Sequence, residues 1–203
     1  GQFLYLYARS ENHKLMLQLT KPLAVIDLET TGVNLGTDRI IEFAVVKILP
    51  DGTRIQKRKL INPEIAIPAT STDIHGITDE MVKDAPPFRQ EAQELKQMLD
   101  GCDLAGYNSN RFDIQLLIEE FLRAGVVFEM KGRRMVDVQN IFHKMEQRTL
   151  SAAYRFYCNK TLEGAHGAEV DAAATYEILL AQLERYPELG TTLDSINKTI
   201  GEE

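Results

Sequence analysis

The sequence predicts one α/β domain in which a single mixed sheet is flanked by helices. Three short β-rich segments separated by turn signals come first, and segments with helical periodicity alternate with short strands in the rest of the chain. A three-strand meander followed by alternating helices and strands is typical of one mixed sheet with helices packed against it. With 203 residues, 44% of them hydrophobic and 26% charged, the chain has the composition of one globular domain with a full core.

The first part of the chain predicts a β-meander. Residues 23–30 (LAVIDLET) form a short β-rich run that ends at a Thr-Thr-Gly turn. Residues 39–49 predict a second strand, and a Pro-Asp-Gly turn at residues 50–52 returns the chain into a third strand at residues 53–61. Polar residues alternate along the third strand, which indicates a position at the edge of the sheet.

The second part of the chain predicts helices that alternate with two more strands. After a proline-rich loop, residues 88–101 have helical periodicity and end at Gly101, which suits the position just past a helix C-terminus. The elements predicted after it are a strand at 103–108, a helix at 111–125 closed by Gly125, a strand at 133–138, and helices at about 139–146, 149–158 and 168–185. Pro187 marks the end of the last helix, since proline does not continue a helix.

The chain has no internal repeat and no low-complexity linker. We therefore predict one main domain at residues 21–187, an N-terminal extension at residues 1–20 and a short C-terminal segment at residues 188–203. The extension carries no motif and begins with Gly1 instead of methionine.

Net charge and cysteine content restrict the class of protein. The net charge is −7 and the pI is about 5.2, which argue against a protein that holds long nucleic-acid duplexes by charge alone. Cys102 and Cys158 form neither a CxxC pair nor a disulfide framework, and no apolar run approaches the roughly 20 residues that span a bilayer. We therefore expect a reduced, cytoplasmic protein that makes no membrane contact.

Two carboxylates lie in the first predicted strand. Asp27 and Glu29 are two residues apart, and because side chains alternate along a strand they project from the same face. In a central strand, two neighbouring carboxylates repel each other and are costly to desolvate. A divalent cation removes that conflict. A bare D-x-E pattern is more often a solvated strand face, so the wider context decides between the two interpretations.

Further motifs follow the first one in the chain. The first pair lies within AVIDLETTG, and NSNRFD at 108–113 and HGAEVD at 166–171 follow far downstream. In this order and at these spacings, the segments resemble the DEDDh branch of the DEDD exonucleases, the family that includes the epsilon proofreading subunit of bacterial DNA polymerase III. IHGIT at 74–78 and DAPPF at 84–88 also resemble the family's connecting segment.

The resemblance runs from about residue 23 to residue 186 and implies an RNase H-like fold with a five-stranded mixed sheet. It also implies that residues 21–187 form an exonuclease domain with two divalent metal ions, Mg²⁺ or Mn²⁺, about 4 Å apart at the scissile phosphate. The catalytic set that it implies is Asp27, Glu29, Asp113, His166 and Asp171. The sequence departs from the family at Tyr107, where many members carry His.

The resemblance also implies a role for each catalytic residue. Asp27 would bridge both ions, Glu29 and Asp171 would complete their coordination, and Asp113 would act largely through water. Ligands that are all oxygen suit Mg²⁺ or Mn²⁺ and argue against structural zinc. His166 would be the general base that takes the proton of the attacking water, because an unperturbed pKa near 6.5 suits neutral pH. Asp113 also suits the first turn of a helix, where the dipole favours an acid.

Other positions are implied to contact the substrate. The positions at which the family usually contacts the terminal nucleotides are Thr30, Ile74, His75, Asn108 and Phe112. Two basic clusters are further candidates for nucleic-acid contact: Arg54 with residues 57–59, and Lys131 with residues 133–134. A solvated edge strand and a surface loop explain these clusters as well as nucleic-acid contact does.

Three functions remain open at this point. The favoured function removes nucleotides from the 3′ end of DNA in proofreading or repair, with a DNA polymerase or a replication or repair protein as a partner. The same site trims the 3′ end of RNA in relatives that resemble ribonuclease T and oligoribonuclease, and nothing in the motifs reads the 2′-hydroxyl. The third is a non-catalytic nucleic-acid-binding module. Such a module would have a replaced carboxylate or histidine, and none of the five is missing.

Overall fold

The structure is a computed structural model that describes residues 17–108, 112–164 and 167–201. It divides into two compact units, and the division falls between Asn140 and Ile141. The first unit contains the sheet and the second is helical. The domain boundaries predicted at residues 20 and 187 are not tested by this division and stay predictions.

A five-stranded mixed sheet forms the centre of the first unit, in the order β3-β2-β1-β4-β5. Its strands are β1 (Leu23–Thr30), β2 (Ile40–Ile48), β3 (Arg54–Leu60), β4 (Asp103–Gly106) and β5 (Met135–Asp137). Strands β1, β2 and β3 form an antiparallel meander, while β4 runs parallel to β1, and β5 runs parallel to β4. The predicted mixed sheet is confirmed, and β3 lies at its edge as the alternating polar residues indicate.

The helices follow one another in chain order within each unit. In the first unit they are α1 (Ala69–His75), α2 (Asp79–Val82), α3 (Phe88–Leu99) and α4 (Asp113–Arg123). Helix α5 (Val138–Met145) crosses the division between the units. The second unit holds α6 (Leu150–Cys158), α7 (Ala168–Arg185), a 3-10 turn (Pro187–Leu189) and α8 (Leu193–Ile200). The longer helices agree with the prediction, whereas α1, α2 and α8 are not predicted by the sequence pattern.

The core of the first unit lies on one face of the sheet. Alternate residues of β1 and β2 point into it, and those of β1 are Ala24, Ile26 and Leu28. Helices α3 and α4 cover this face with apolar stripes at helical spacing: Phe88, Ala92, Leu95 and Leu99 from α3, and Ile114, Leu117 and Phe121 from α4. Burying each large side chain contributes about 1.5–3 kcal/mol. Because strand side chains alternate, Asp27 and Glu29 emerge on the opposite face.

A smaller apolar group holds α1 and α2 against the sheet. Its buried members are Ile41, Ile67, Ile77 and Val82. Thr78 begins α2, and its hydroxyl accepts a hydrogen bond from the Met81 N–H, which is the usual cap for a helix N-terminus. This packing fixes the position of the short helix α1, which carries two of the predicted nucleotide contacts.

The second unit has its own apolar core between α6 and α7. The buried residues are Tyr154, Ala174 and Ile178. The Tyr154 hydroxyl donates to the Glu177 carboxylate at 2.7 Å, and Lys160 pairs with the same carboxylate at 3.0 Å. Within the ranges that the structure describes, no helix is both long and apolar enough to cross a membrane.

Candidate active site

The candidate site begins with the two carboxylates of β1. Asp27 and Glu29 leave the face opposite the core, as the alternation along the strand predicts. Across the antiparallel pair, Asp27 lies opposite Ala44 and Glu29 lies opposite Glu42. Like charges that face each other across two strands are destabilising. This end of the sheet therefore concentrates negative charge on one face.

The environment raises the pKa of both carboxylates. Partial burial raises the pKa of Asp27, and the negative charge of Glu42 adds to the effect. Burial likewise raises the pKa of Glu29, and Asp27 and Glu42 raise it further, while His75 opposes them. Burial and like charge both disfavour the ionised form. A bound cation would lower the pKa of both carboxylates, because positive charge favours the ionised form.

The third carboxylate of the first unit belongs to Asp113, the first residue of α4. Burial and the nearby Asp27 raise the pKa of Asp113 to about 6, against a backbone hydrogen bond with Leu28 that lowers it. Glu29 and Asp137 add smaller contributions that raise it. The structure thus brings Asp113 close enough to Asp27 and Glu29 for their charges to interact, although about 85 residues separate them in the chain.

Two acidic residues near this group are absent from the sequence prediction. Glu42 of β2 faces Glu29, and Arg58 of β3 pairs with it, with Nη2 at 2.7 Å from Oε2. Asp137 ends β5 and is 6% exposed. The strand register brings both residues to this group, and the local sequence pattern does not reveal that register. The only local signal is the position of Asp137 just before a predicted helix.

Helix α1 holds the chain that follows β1. The Ser71 hydroxyl donates to the Thr31 carbonyl at 2.6 Å, and the His75 ring bonds the Thr30 carbonyl through Nε2 at 3.2 Å. The Ile77 N–H donates to His75 Nδ1 at 3.0 Å, so Nε2 carries the proton. Both ring nitrogens of His75 are therefore bonded to backbone. Its predicted contact with a nucleotide would use the face of the ring.

The other predicted nucleotide contacts have different environments. Ile74 is 86% exposed, whereas Phe112 is partly buried against the core. Asn108 is exposed and has a φ of 57°, which few residues other than glycine adopt. Thr30 is half-buried, and its hydroxyl donates to the backbone two residues further on at 2.7 Å. The contacts of these residues with a substrate stay predictions.

The second unit carries the last predicted carboxylate. Asp171 lies in the first turn of α7, where its N–H donates to the Gly167 carbonyl at 3.0 Å. Its Oδ1 atom is buried and has no hydrogen-bond partner among the residues that the structure describes. An unsatisfied buried oxygen costs about 1–3 kcal/mol, so it favours a ligand. His166, the predicted general base, lies outside the described residues.

The donor set fits hard divalent cations. Asp27 raises the pKa of Glu29, both residues raise the pKa of Asp113, and the Asp171 Oδ1 atom has no hydrogen-bond partner among the described residues. Oxygen ligands of this kind suit Mg²⁺ or Mn²⁺. Across residues 17–108, 112–164 and 167–201, no three acidic, histidine or cysteine side chains already form a metal-binding cluster.

Most charges in the two basic clusters are taken up within the protein. In the first cluster, Lys57, Arg58 and Lys59 pair with the acids Glu94, Glu42 and Glu91, respectively. In the second cluster, Arg133 donates to the Cys102 carbonyl at 2.8 Å, and Arg134 pairs with Asp103 at 2.7 Å. These contacts favour the structural interpretation of both clusters over contact with nucleic acid.

Comparison with known proteins gives consistent results. The model of the family described as Exonuclease matches residues 24–179. A DNA polymerase III subunit epsilon-like protein of Rhodobacter capsulatus is 32% identical over 174 residues, which cover 83% of this chain and 24% of that protein. The PolC-type DNA polymerase III of Caldanaerobacter subterraneus is 29% identical over 180 residues, covering 88% and 13%. The 3′–5′ exonuclease DinG of Staphylococcus epidermidis is 26% identical over 170 residues, covering 82% and 18%.

The chain thus spans between 13% and 24% of the length of these relatives. Among solved structures, the zinc-bound complex of Escherichia coli exonuclease I with single-stranded DNA superposes with a TM-score of 0.57 at 18% identity, covering 83% of this chain and 42% of that one. The complex of the same enzyme with a dT13 oligonucleotide gives a TM-score of 0.56, covering 84% and 42%. These superpositions confirm the predicted RNase H-like fold.

Proposed function

The chain belongs to the exonuclease family, and on this premise we propose that it is a metal-dependent 3′–5′ exonuclease that releases nucleoside monophosphates from DNA. The observation that carries the proposal is the interacting group of Asp27, Glu29 and Asp113. Burial raises the pKa of each, and so does at least one neighbouring carboxylate. Groups of carboxylates whose pKa is raised by burial and by one another's charge are typical of sites that bind cations and perform hydrolysis.

Asp27, Glu29, Asp113 and Asp171 would hold two divalent cations, Mg²⁺ or Mn²⁺. Bound ions of this kind neutralise phosphate charge and lower the pKa of a coordinated water. The pKa values of Asp27, Glu29 and Asp113 are raised, so each of these three carboxylates would gain from pairing with positive charge. The identity of the ions belongs to the proposal, and it follows from the all-oxygen ligand set.

His166 is the proposed general base. Its assignment rests on the HGAEVD motif, in which Asp171 follows five residues later. A neutral imidazole takes a proton from water at physiological pH, and its position in the chain just before α7 links it to the same motif as Asp171.

DNA is the proposed substrate because two of the relatives are named as DNA polymerase III proteins. The exposed side chain of Ile74 and the exposed Asn108 offer surfaces for a terminal nucleotide. The net charge of −7 agrees with an enzyme that holds a strand end through cations and not through a broad basic surface. A DNA polymerase or repair protein is the proposed partner, and the cytoplasm is the proposed location.

The test is digestion of 3′-labelled single-stranded DNA, duplex DNA and RNA of matched sequence with Mg²⁺ or Mn²⁺. We expect stepwise release of mononucleotides from the 3′ end of DNA by the wild-type protein and none by Asp27→Ala. Faster digestion of RNA would instead identify a 3′-end-trimming exoribonuclease. Binding of all three substrates without hydrolysis would identify a non-catalytic nucleic-acid-binding module.

A further inference from the structure

The buried carboxylate at the end of β5 bonds two separate segments of backbone. Asp137 Oδ1 accepts a hydrogen bond from the Asn108 N–H at 2.8 Å and another from the Gln139 N–H at 3.0 Å. The second bond satisfies an N–H at the start of α5, as side chains at helix N-termini often do. The first bond reaches a different strand, because β4 and β5 are parallel neighbours and Gly106 pairs with Asp137.

Asn108 lies between β4 and the helix that begins with Asp113. It lies two residues beyond the end of β4 and five residues before Asp113, which begins α4. Its φ of 57° lies in the left-handed region, which asparagine adopts more readily than most residues other than glycine. The bond from its N–H to a charged carboxylate fixes this conformation further, since charge-assisted hydrogen bonds are stronger than neutral ones.

We propose that Asp137 is a positioning residue for the active site, which holds the exit of β4 so that α4 presents Asp113 to the other carboxylates. This inference rests on the proposed exonuclease function. It assigns Asp137 no contact with substrate or metal. Groups that orient the ligands of a metal in this way typically change activity or metal affinity by about 10–100-fold when they are removed.

The same pair of strands provides a matched control. Asp103 begins β4 and is as well buried as Asp137, at 5% exposed compared with 6%. Its carboxylate also bonds the neighbouring segment, accepting the Arg134 N–H at 2.8 Å. Asp103 therefore joins the two strands at the opposite end of their parallel pairing from Asp137 and Asn108. Loss of either carboxylate costs stability, but only Asp137 lies at the end that leads to Asp113.

Three substitutions of Asp137 test its hydrogen bonds to the Asn108 and Gln139 N–H groups. Asp137→Ala removes both bonds. Asp137→Ser keeps a short acceptor for the Gln139 N–H and loses the longer reach to Asn108, and it provides a second variant should the alanine protein not fold. Asp137→Asn keeps a carbonyl oxygen in the same place, and it should recover most of the rate.

The kinetic measurement is digestion of a 3′-labelled single-stranded oligonucleotide at saturating Mn²⁺. We expect kcat to fall about 10–100-fold in Asp137→Ala and Asp137→Ser with little change in KM. Asp103→Ala should lower the melting temperature and leave kcat within about threefold of wild type. Unchanged kcat in a folded Asp137→Ser protein, or an equal loss in Asp103→Ala, would overturn the positioning role.

A second measurement does not depend on activity. Hydrogen exchange at the Asn108 amide should be faster in Asp137→Ser and Asp137→Ala than in wild type, and unchanged in Asp103→Ala. Unchanged exchange in the Asp137 variants would overturn the inference even in an active enzyme. If the Asn108 amide exchanged as expected in all these proteins and wild type hydrolysed no substrate, the exonuclease proposal would fail. The positioning role of Asp137 would then fail with it.

Discussion

Burial and neighbouring charge keep the Asp113 carboxylate protonated to a higher pH than an aspartate in water. Its pKa of about 6 results first from burial and then from the charge of Asp27. Both causes act only in the folded protein. Its protonation is therefore coupled to folding, and the coupling can be measured without any knowledge of the substrate.

We expect the metal-free protein to lose stability as pH rises from about 4 to about 6. An acid with a raised pKa keeps its proton in the folded state at a pH where the unfolded chain, with a pKa near 3.9, has released it. The stabilisation is present below the unfolded value and is lost as pH rises through the folded value. The upper bound from Asp113 is about 3 kcal/mol, and its residual solvent contact reduces the measured value.

Thermal unfolding in EDTA across this range measures the effect. The Asp113→Asn variant should gain stability relative to wild type as pH rises from about 4 to about 6, with no further gain above that. A stability difference between the two proteins that does not change with pH would show that Asp113 has an ordinary pKa.

Removal of a catalytic carboxylate should abolish hydrolysis and leave the protein folded. Asp27→Ala and Asp171→Ala each remove a carboxylate that forms no ion pair with the residues that the structure describes, so the free energy of unfolding of the metal-free protein should stay within about 1 kcal/mol of wild type or rise. Asp51→Asn, in the turn between β2 and β3, is the control with full activity. If both alanine variants failed to fold, Asp27 and Asp171 would instead be structural residues.

His166→Ala tests the proposed general base. General-base catalysis typically contributes about 10²–10⁴-fold, so kcat should fall by that order while metal affinity barely changes. Wild-type activity should decrease as pH drops through the pKa of the histidine, and the pH profile of the variant should lack this decrease. A kcat near that of wild type, or full rescue of activity by added metal, would show that His166 is not the general base.

At the scale of the elements, α4 fixes the loop between β1 and β2 through a buried charge. Glu120 is 1% exposed, and its Oε1 accepts from Arg39 Nε and from Arg123 Nη1, both at 2.6 Å. Arg123 also donates to the carbonyls of Leu35 and Gly36 in that loop. The helix that begins at Asp113 thus holds the chain that leaves Glu29.

Breaking this network should be costly. Glu120→Ala leaves two guanidinium groups without their shared carboxylate, and loss of one partner of a buried pair costs about 3–5 kcal/mol. Glu64→Ala, which removes the exposed partner of Arg89, should cost less than about 1 kcal/mol. Chemical denaturation compares the two. Equal losses would mean that Glu120 is effectively solvated.

The sequence predicted the five strands and the helices α3 to α7, and it missed α1, α2 and α8. The strand at 23–30 and the helix at 168–185 agree with the structure in both bounds. Helix α1 consists mainly of residues of low helix propensity, and the residues on either side of it, Ile67 and Ile77, pack with Ile41 of β2. Helix α8 does carry a local signal, a capping box between Thr192 and Ser195.

For the whole molecule, motifs predicted the residues of the site but not the network around them. The same-face pair Asp27 and Glu29 follows from strand alternation alone, and the resemblance added Asp113. Glu42 and Asp137 could not be predicted, because each reaches the site through the register of its strand pairing, which the local sequence does not reveal. The raised pKa of Asp113 is also a property of the assembled fold.

Metal binding should reverse the charge repulsion that these strands create. Ionising the three interacting carboxylates together destabilises the folded protein. A divalent cation binds the ionised form, so Mn²⁺ should raise the melting temperature of wild type. Metal at about 100 times its dissociation constant stabilises a protein by about 2.7 kcal/mol. Asp27→Asn should lose most of this gain, whereas Asp51→Asn, which removes the same charge from a distant turn, should keep it.

Excess EDTA should abolish both the stabilisation and the nuclease activity. Full activity in EDTA, or equal stabilisation of Asp27→Asn, would show that these carboxylates do not bind the catalytic metal.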